Sequence, residues 1–512
     1  MSGLTPQQVE FARANARRMS ARQIAKQLNV PRVSVEECLR GGRGGPAAGT
    51  AVSAAPKAPK AVLAGLVMLA AFAAFSSSLV DGFVWDDQQM ILQDKTLEDP
   101  SHFFRTITKP IAFYGQEKPK GALWRAVVSA TLFADVAAWG KKNAFGFHLT
   151  NVLLHTAVAG VFFVTAMRFL DPWPAFFAAL FFAVHPVHSE SVSYITVRSE
   201  ILCGLFSLTC LLLHRRSVWI AALAYLLAMY SKETGVTFGG VLLAYDWYAR
   251  REKDWSPAAF VRRYGPYAAA VAVYFATRFY FIGGLGSAAE GDTTHGFYAW
   301  PNRIWMQPVY YGHYMRMIFF PSNLHTWRQL RWPHEFTDPG YFWPFLAFAA
   351  LAAVCAWTAA RSRPYAAGVF WFFLSLLPVI NLLVIVNSLV HEHWLYNPLM
   401  GLTLVLFGVL WERVFRGNVK AMAAVALPVV AVLGAVAFRQ NLVWKDEITL
   451  FEHTIRYVTR DPLIYSNLGV AYVKNNQPEK AEWAFHKALE IDPQYENALY
   501  NLDLLRRQRQ AA

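Results

Sequence analysis

Apolar and polar positions are segregated along this chain strongly enough to predict its architecture before any motif is read. Residues 61–80, AVLAGLVMLAAFAAFSSSLV, hold no charge. Further apolar runs follow at 147–169, 173–187, 195–213, 217–231, 234–249, 265–283, 341–360, 366–387, 395–412 and 420–438. A helix of about 20 apolar residues crosses a bilayer, and somewhat fewer suffice inside a bundle. The pattern predicts an all-α, polytopic membrane helical bundle of about eleven spans.

Segment 301–320, PNRIWMQPVYYGHYMRMIFF, interrupts the series with Asn302, Arg303, Gln307, Pro308, His313 and Arg316. A charge at the centre of a span costs a few kcal/mol. The segment therefore reads as an interfacial helix, not as a twelfth span.

The polar joins alternate in character. With a cytoplasmic N-terminus, the cytoplasmic joins are RFLDPWP, HRRS, YARREKDWSPAAFVRRYG, ARSRPY and WERVFRGNVK, and all but the first are clearly basic. The opposite joins, HPVHSESVSY, YSKETG, the long 284–340 segment and NSLVHEHWLY, are rich in His, Glu and Tyr. This is the asymmetry of the positive-inside rule. Residues 1–45 are polar and the first apolar run is too long and too late for a cleavable signal, so 61–80 reads as a retained anchor.

The ends break the apolar pattern. Residues 16–39 read as helix, turn near Asn29-Val30-Pro31, then helix. A small helical hairpin or docking element is preferred there to a DNA reader. Residues after 40 and up to 60 form a Gly/Ala/Pro linker. After 438 the pattern turns polar and helical. Leu468, Gly469, Tyr472, Ala481, Phe485, Ala488 and Pro493 fall on the spacing of a tetratricopeptide repeat, and Phe451 precedes Phe485 by 34 residues. The domain plan is a cytoplasmic helix-turn-helix-like segment at 1–40, a linker at 41–60, the membrane domain at 61–438 and a small α-hairpin repeat domain at 439–512. By the topology above the repeat lies on the outer face. One repeat with two partial neighbours is short for an independent array, so it is expected to pack on the membrane domain or on a partner.

Composition agrees. Hydrophobic residues make up 55% of the chain and charged ones 16%, against about 25% charge in soluble domains. The net charge of +14 follows from the basic joins, so it argues for bilayer topology rather than nucleic-acid binding. Cys38, Cys203, Cys210 and Cys355 show no metal-ligand or disulfide spacing and read as structural.

The conspicuous polar residues fall on the outer side. Asp86 and Asp87 open the first outer loop, followed by Arg125. His148, Asn151 and His155 share one helical face near the outer end of the second span. HPVHSESVSYITVRSE supplies His185, His188, Glu190, Arg198 and Glu200; SKETG supplies Lys232 and Glu233; HEHWLYNP supplies Glu392, His393 and Tyr396. Ionisable groups against a bilayer are expensive and mark substrate or ion pathways. A cavity at that boundary admits a lipid-anchored substrate. Arg198, Lys232 or Arg303 offer charge-assisted bonds to phosphate. Asp86 or Asp87 can take a proton from a hydroxyl, or the pair can ligate a divalent cation. His185-x-x-His188 is a loose metal spacing with no thiolate beside it. Together these residues suggest glycosyl transfer from a lipid-phosphate sugar.

The motifs FVWDDQQMI, FGFHLTNVLLH (145–155), FFAVHPVHSESVSYITVRSEIL (181–202), SKETGVT (231–237) and HEHWLYNP (391–398) resemble, in order, those of GT-C fold membrane glycosyltransferases. The likeness is closest to the transmembrane, tetratricopeptide-repeat protein O-mannosyltransferases. The resemblance implies a polyprenyl-phosphate-linked sugar as donor, a protein hydroxyl as acceptor, and Asp86 and Asp87 as the catalytic element. His393 stands where that family has Arg, and Trp124-Arg125-Ala126 where it has Tyr-Arg-Pro. The repeat region is shorter than the family's, and these departures leave the sugar and acceptor open. The expected setting is a bacterial inner membrane with the repeat periplasmic. Two alternatives remain at this level: the same donor with a glycan or lipid acceptor, and a non-enzymatic scaffold recruiting partners through its repeat.

Overall fold

The computed structural model describes residues 59–109, 123–249, 256–283, 299–300, 302–331, 333, 335–386 and 388–511, with 8–9, 11–12, 21–28, 30 and 34–35 near the N-terminus. Cys38 and the linker up to residue 58 lie outside the described residues.

Two compact units are present, 1–55 and 56–512. In the first, Ala21–Leu28 is helical and Ala12, Ile24, Ala25 and Val35 form a small buried cluster. In the second, the repeat helices cluster with the membrane helices and do not form a separate unit.

A helix stands at each predicted span: Lys60–Phe75 continued by Ser76–Val80, Ala144–Ala166, Pro172–Ala183, Arg198–Leu213, Val218–Ser231, Phe238–Tyr248, Pro257–Ile282, Pro339–Arg361, Arg363–Leu376, Tyr396–Val409 and Val419–Asn441. Six are long and apolar enough to cross a bilayer, or seven if the bent pair Pro172–Ala183 and Pro186–Ser193 is one span. The chain is an integral membrane protein. The sequence pattern also counts shorter apolar helices as spans, because a run of apolar residues does not report helix length. Phe238–Tyr248 has 11 residues, and at 1.5 Å per residue it covers about 16 Å of a core about 30 Å thick. The 257–282 helix is long enough but bears Arg262, Arg263 and Arg278. Gln307–Phe319 is 13 residues long and packs buried aromatic and apolar side chains against the 339–361 helix, too short to be a further span.

Local sequence starts and stops these helices. Ser256 accepts from the Ala259 N–H with Pro257 behind it, and Asn418 and Asp338 cap in the same way. Gly283, at φ +78°, ends the 257–282 helix in the left-handed conformation. The last span is tied to the first: Asn441 Nδ2 donates to Ala74 O at 3.1 Å and Ser77 Oγ at 3.0 Å. The 393–414 window is 78% buried and central, whereas 339–361 is 11% buried and presents Trp343, Val354 and Trp357 outward, as a lipid-facing helix does.

The basic joins share one end of the bundle. Asp246 there accepts from His214 Nε2 (2.9 Å), Arg215 Nη2 (3.1 Å), Arg263 Nη1 (3.3 Å) and the Tyr264 hydroxyl (2.8 Å). Tyr248 packs on Phe169 of the 167–173 join at that end. The acidic, histidine-rich loops meet at the other end.

Candidate functional site

The loop after the first span is shaped by backbone contacts. Gly82 N–H donates to Lys445 O at 2.8 Å, and Gly82 O accepts from His148 Nε2 at 3.2 Å. Trp85 then adopts φ +49°, a left-handed conformation that costs a bulky residue about 1–3 kcal/mol and clusters at functional sites. This bend separates the two adjacent carboxylates. Asp87 turns inward and is fully buried. Its Oδ1 accepts from Thr196 N–H at 2.9 Å and its Oδ2 from Val84 N–H at 3.3 Å. Burial outweighs those bonds and lifts its pKa to about 7. Asp86 stays partly exposed, and its N–H donates to the Tyr194 hydroxyl at 3.2 Å. Burial raises its pKa, while that phenol and Arg125 favour the ionised form.

Arg125, Lys232 and Arg198 are each held by a carboxylate, and Arg125 is the one whose charge acts on Asp86. Arg125 forms a fork on Glu233, Nη2–Oε1 2.8 Å and Nε–Oε2 3.2 Å, and reaches Ser199 Oγ at 3.5 Å. Burial pushes the Glu233 carboxyl up, but Arg125 overrides it and holds it down to about 2. Lys232 pairs with Glu200, which also accepts from Asn397 Nδ2 at 3.4 Å. Arg198 is sealed: Nη1 pairs with Asp135 at 2.5 Å and Nη2 donates to Phe147 O at 3.3 Å. Side-chain exposure is 17% for Arg125, 4% for Lys232 and 0% for Arg198, so Arg125 is the one of the three placed to meet a ligand. Arg303 lies elsewhere, over the Trp300 ring.

The HEHWLYNP loop closes the other side. Glu190 accepts from His393 N–H at 2.9 Å and faces His391 Nδ1 at 3.2 Å and His393 Nδ1 at 3.1 Å. Glu392 accepts from His325 N–H at 2.6 Å and pairs with Arg328. Burial pushes the Glu392 carboxyl up, against the pull of Arg328.

The remaining sequence-predicted residues form a buried layer beneath. Asn151 Nδ2 donates to Val192 O at 3.0 Å. His155 bridges the Tyr396 hydroxyl (2.8 Å) and Ala183 O (3.0 Å). His185 Nε2 lies 2.9 Å from Ile318 O while its Nδ1 accepts from Val187 N–H. His188 packs among Phe182, Tyr396 and His155. His185 and His188 thus brace backbone and rings rather than face a common ligand.

Aromatic contacts join the parts. Trp85 lies 6.3 Å from Trp327 and 5.4 Å from Phe451 of the C-terminal region. Trp327 is 6.3 Å from His391 and donates from Nε1 to Asp461 Oδ2 at 2.7 Å. A small pocket lies between the SKETG turn and the HEHWLYNP helix. Glu200, Thr234, Thr237 and Asn397 give it polar groups, and Phe238, Val379 and Trp394 apolar walls.

The structure therefore brings the first loop, 190–200, 232–233 and 391–397 together at one end of the bundle. Sequence reasoning missed Asp81, Asp135, Tyr194, Arg328 and His391. Asp81 is a second buried carboxyl in the loop, raised to about 8 by burial. Tyr194 and His391 sit inside motifs already quoted. Arg328 lies in a polar segment without a motif of its own.

The C-terminal helices Pro462–Lys474, Pro478–Ile491 and Glu496–Ala511 stack as antiparallel hairpins. A Cβ on Gly469 would meet the Phe485 ring at 2.4 Å, so the close helix approach requires glycine there. The family model for the tetratricopeptide repeat matches residues 462–495. Over most of its length the chain is similar to protein O-mannosyl-transferases. One from Caenorhabditis elegans is 25% identical over 442 residues, covering 82% of this chain and 61% of the relative. TMTC3 of Mus musculus is 25% identical over 475 residues, covering 81% of this chain and 50% of the relative. Tmtc1 of Drosophila melanogaster is 24% identical, covering 82% and 60%. The chain thus spans between half and about three-fifths of the length of the curated relatives named here. Among solved structures, ArnT from Cupriavidus metallidurans bound to undecaprenyl phosphate aligns over 84% of this chain and 75% of that one, with TM-score 0.41 and 14% identity.

Proposed function

We propose that this chain is a membrane glycosyltransferase that moves a sugar from a polyprenyl-phosphate donor to a hydroxyl acceptor, namely protein Ser/Thr. The placement of the loops opposite the basic joins supports a reaction at the extracytoplasmic face, the periplasm of a bacterial inner membrane.

The observation that carries this reading is the divergence of Asp86 from Asp87. Asp87 is spent on two backbone N–H groups, whereas Asp86 is the partly exposed carboxylate beside Tyr194 and Arg125. In the proposed step the acceptor oxygen attacks the anomeric carbon and its proton passes to Asp86. The bond from that carbon to the phosphate oxygen breaks, and polyprenyl phosphate leaves. Arg125, aligned by Glu233, stabilises the charge on the departing phosphate. The protein-acceptor assignment is supported by the similarity to protein O-mannosyl-transferases and by the repeat region, whose Phe451 packs directly on Trp85, next to Asp86. The resemblance also favours mannose as the first sugar to try.

The test is consumption of a panel of polyprenyl-phosphate sugars by the purified protein, with peptides bearing Ser/Thr, free glycans and lipids as competing acceptors. Sugar appearing on peptide is expected. Transfer only to glycan or lipid would remove the protein acceptor, and no donor consumption with any sugar would remove the enzymatic reading.

A further inference from the structure

Glu190, His391 and His393 each place one metal-ligating atom within 4.8 Å of the others. They come from two separate stretches, the turn after Pro186 and the HEHWLYNP loop, and the structure holds both imidazoles on the same carboxylate. Glu190 Oε1 lies 3.2 Å from His391 Nδ1, and Oε2 lies 3.1 Å from His393 Nδ1. We propose that this cluster is a binding site for one divalent transition ion of the zinc class, held by two imidazoles and one carboxylate. The proposal goes beyond the transfer reaction above and does not rest on it.

Two observations carry it. The first is spacing. Zinc bonds of about 2.0–2.2 Å set neighbouring atoms of a tetrahedron about 3.3–3.5 Å apart. The two carboxylate–imidazole contacts, one to each Glu190 oxygen, are within a few tenths of an ångström of that value, and with the three ligand atoms within 4.8 Å of one another the imidazoles need only rotate to close round one ion. The second is charge. Glu190 is 1% exposed, and a buried carboxylate is costly without a cation. The nearby Arg328 is taken by Glu392 and Lys232 by Glu200, which leaves imidazoles facing Glu190.

The surroundings fit a held site. The His393 N–H donates to Glu190 Oε2 at 2.9 Å and orients the carboxylate. Trp394 and Trp327 shield His391 at 5.0 and 6.3 Å. Two histidines and one carboxylate favour zinc-like ions over magnesium or calcium, which prefer all-oxygen sets. Three protein ligands leave a fourth position for water or an anionic oxygen.

The experiment uses the full chain in detergent, purified through a tag without histidine. Metal content is measured as isolated, and zinc affinity is then measured by competition with a chromophoric chelator. One zinc per chain is expected, with a rise in unfolding temperature on adding zinc to the stripped protein. The double variant His391→Gln/His393→Gln is expected to lose the zinc-dependent rise and to bind at least ~100-fold more weakly, beyond the roughly 10–100-fold that loss of a merely orienting partner costs. His391→Gln alone, which keeps the Glu190–His393 contact, repeats the affinity test if the double variant does not stay monodisperse. Wild-type protein without saturable zinc binding, or variants that bind as tightly as wild type, would overturn the proposal.

Discussion

The ring of Phe451, in the C-terminal region, lies 5.4 Å from that of Trp85, the residue immediately before Asp86. Trp85 holds a left-handed backbone there, and Trp327 fixes the same contact from the third side through Asp461. The repeat therefore braces the loop that carries the proposed base. Phe451 is 2% exposed, and truncating a buried Phe costs about 3–5 kcal/mol. Phe451→Ala is expected to raise hydrogen exchange across both 83–92 and 447–475, while the 144–166 and 198–213 helices stay protected. Unchanged exchange at 83–92 would show that the loop holds its shape alone.

Asp87 is predicted to be architectural. Its pKa, about 7 against an ordinary 3.8, means that the folded state holds the proton more tightly than the unfolded one. Stability is then greatest near pH 4 and falls as pH rises through about 7. Asp81, raised to about 8, extends the loss in the same direction. The unfolding temperature in detergent should drop between pH 5 and 8. Asp87→Asn should flatten part of this slope and cost about 1–3 kcal/mol, because an amide NH₂ then meets a backbone N–H.

Arg198 is predicted to hold the fold rather than the phosphate. Arg198→Met leaves Asp135 buried and unpaired, which costs about 3–5 kcal/mol. The double replacement Arg198→Met/Asp135→Leu removes both charges and should recover most of that loss, with transfer retained. A double variant that folds but transfers nothing would return Arg198 to the list of ligand-binding groups.

Much of this was legible in the sequence, for physical reasons. Uncharged runs must be helices buried in lipid or protein, so every predicted span is helical. Their lengths were not legible, because an apolar run does not show where a helix starts or stops, and Phe238–Tyr248 has only 11 residues. The convergence of DD, SKETG and HEHWLYNP followed from the alternation of the joins, which predicts them at one end of the bundle. The partners did not follow. Asp135 is a single acid in an apolar helix, Arg328 has no motif around it, and which of Asp86 and Asp87 turns into the core is set beside a left-handed bend at Trp85.

Tyr194 should tune the base. Burial raises the Asp86 carboxyl while the Tyr194 hydroxyl favours its ionised form. Tyr194→Phe removes that favour, so the acidic limb of the transfer rate should move to higher pH, with the alkaline side unchanged. A limb that stays in place would mean that Asp86 does not set it.

The most direct measurement compares sugar transfer by wild type, Asp86→Asn and Asp87→Asn, each shown to be monodisperse and folded. Asp86→Asn is expected to keep wild-type stability and donor binding yet lose about 10²–10⁴-fold in rate, the range a positioned general base supplies. A folded Asp86→Asn protein that transfers sugar at the wild-type rate would contradict the account.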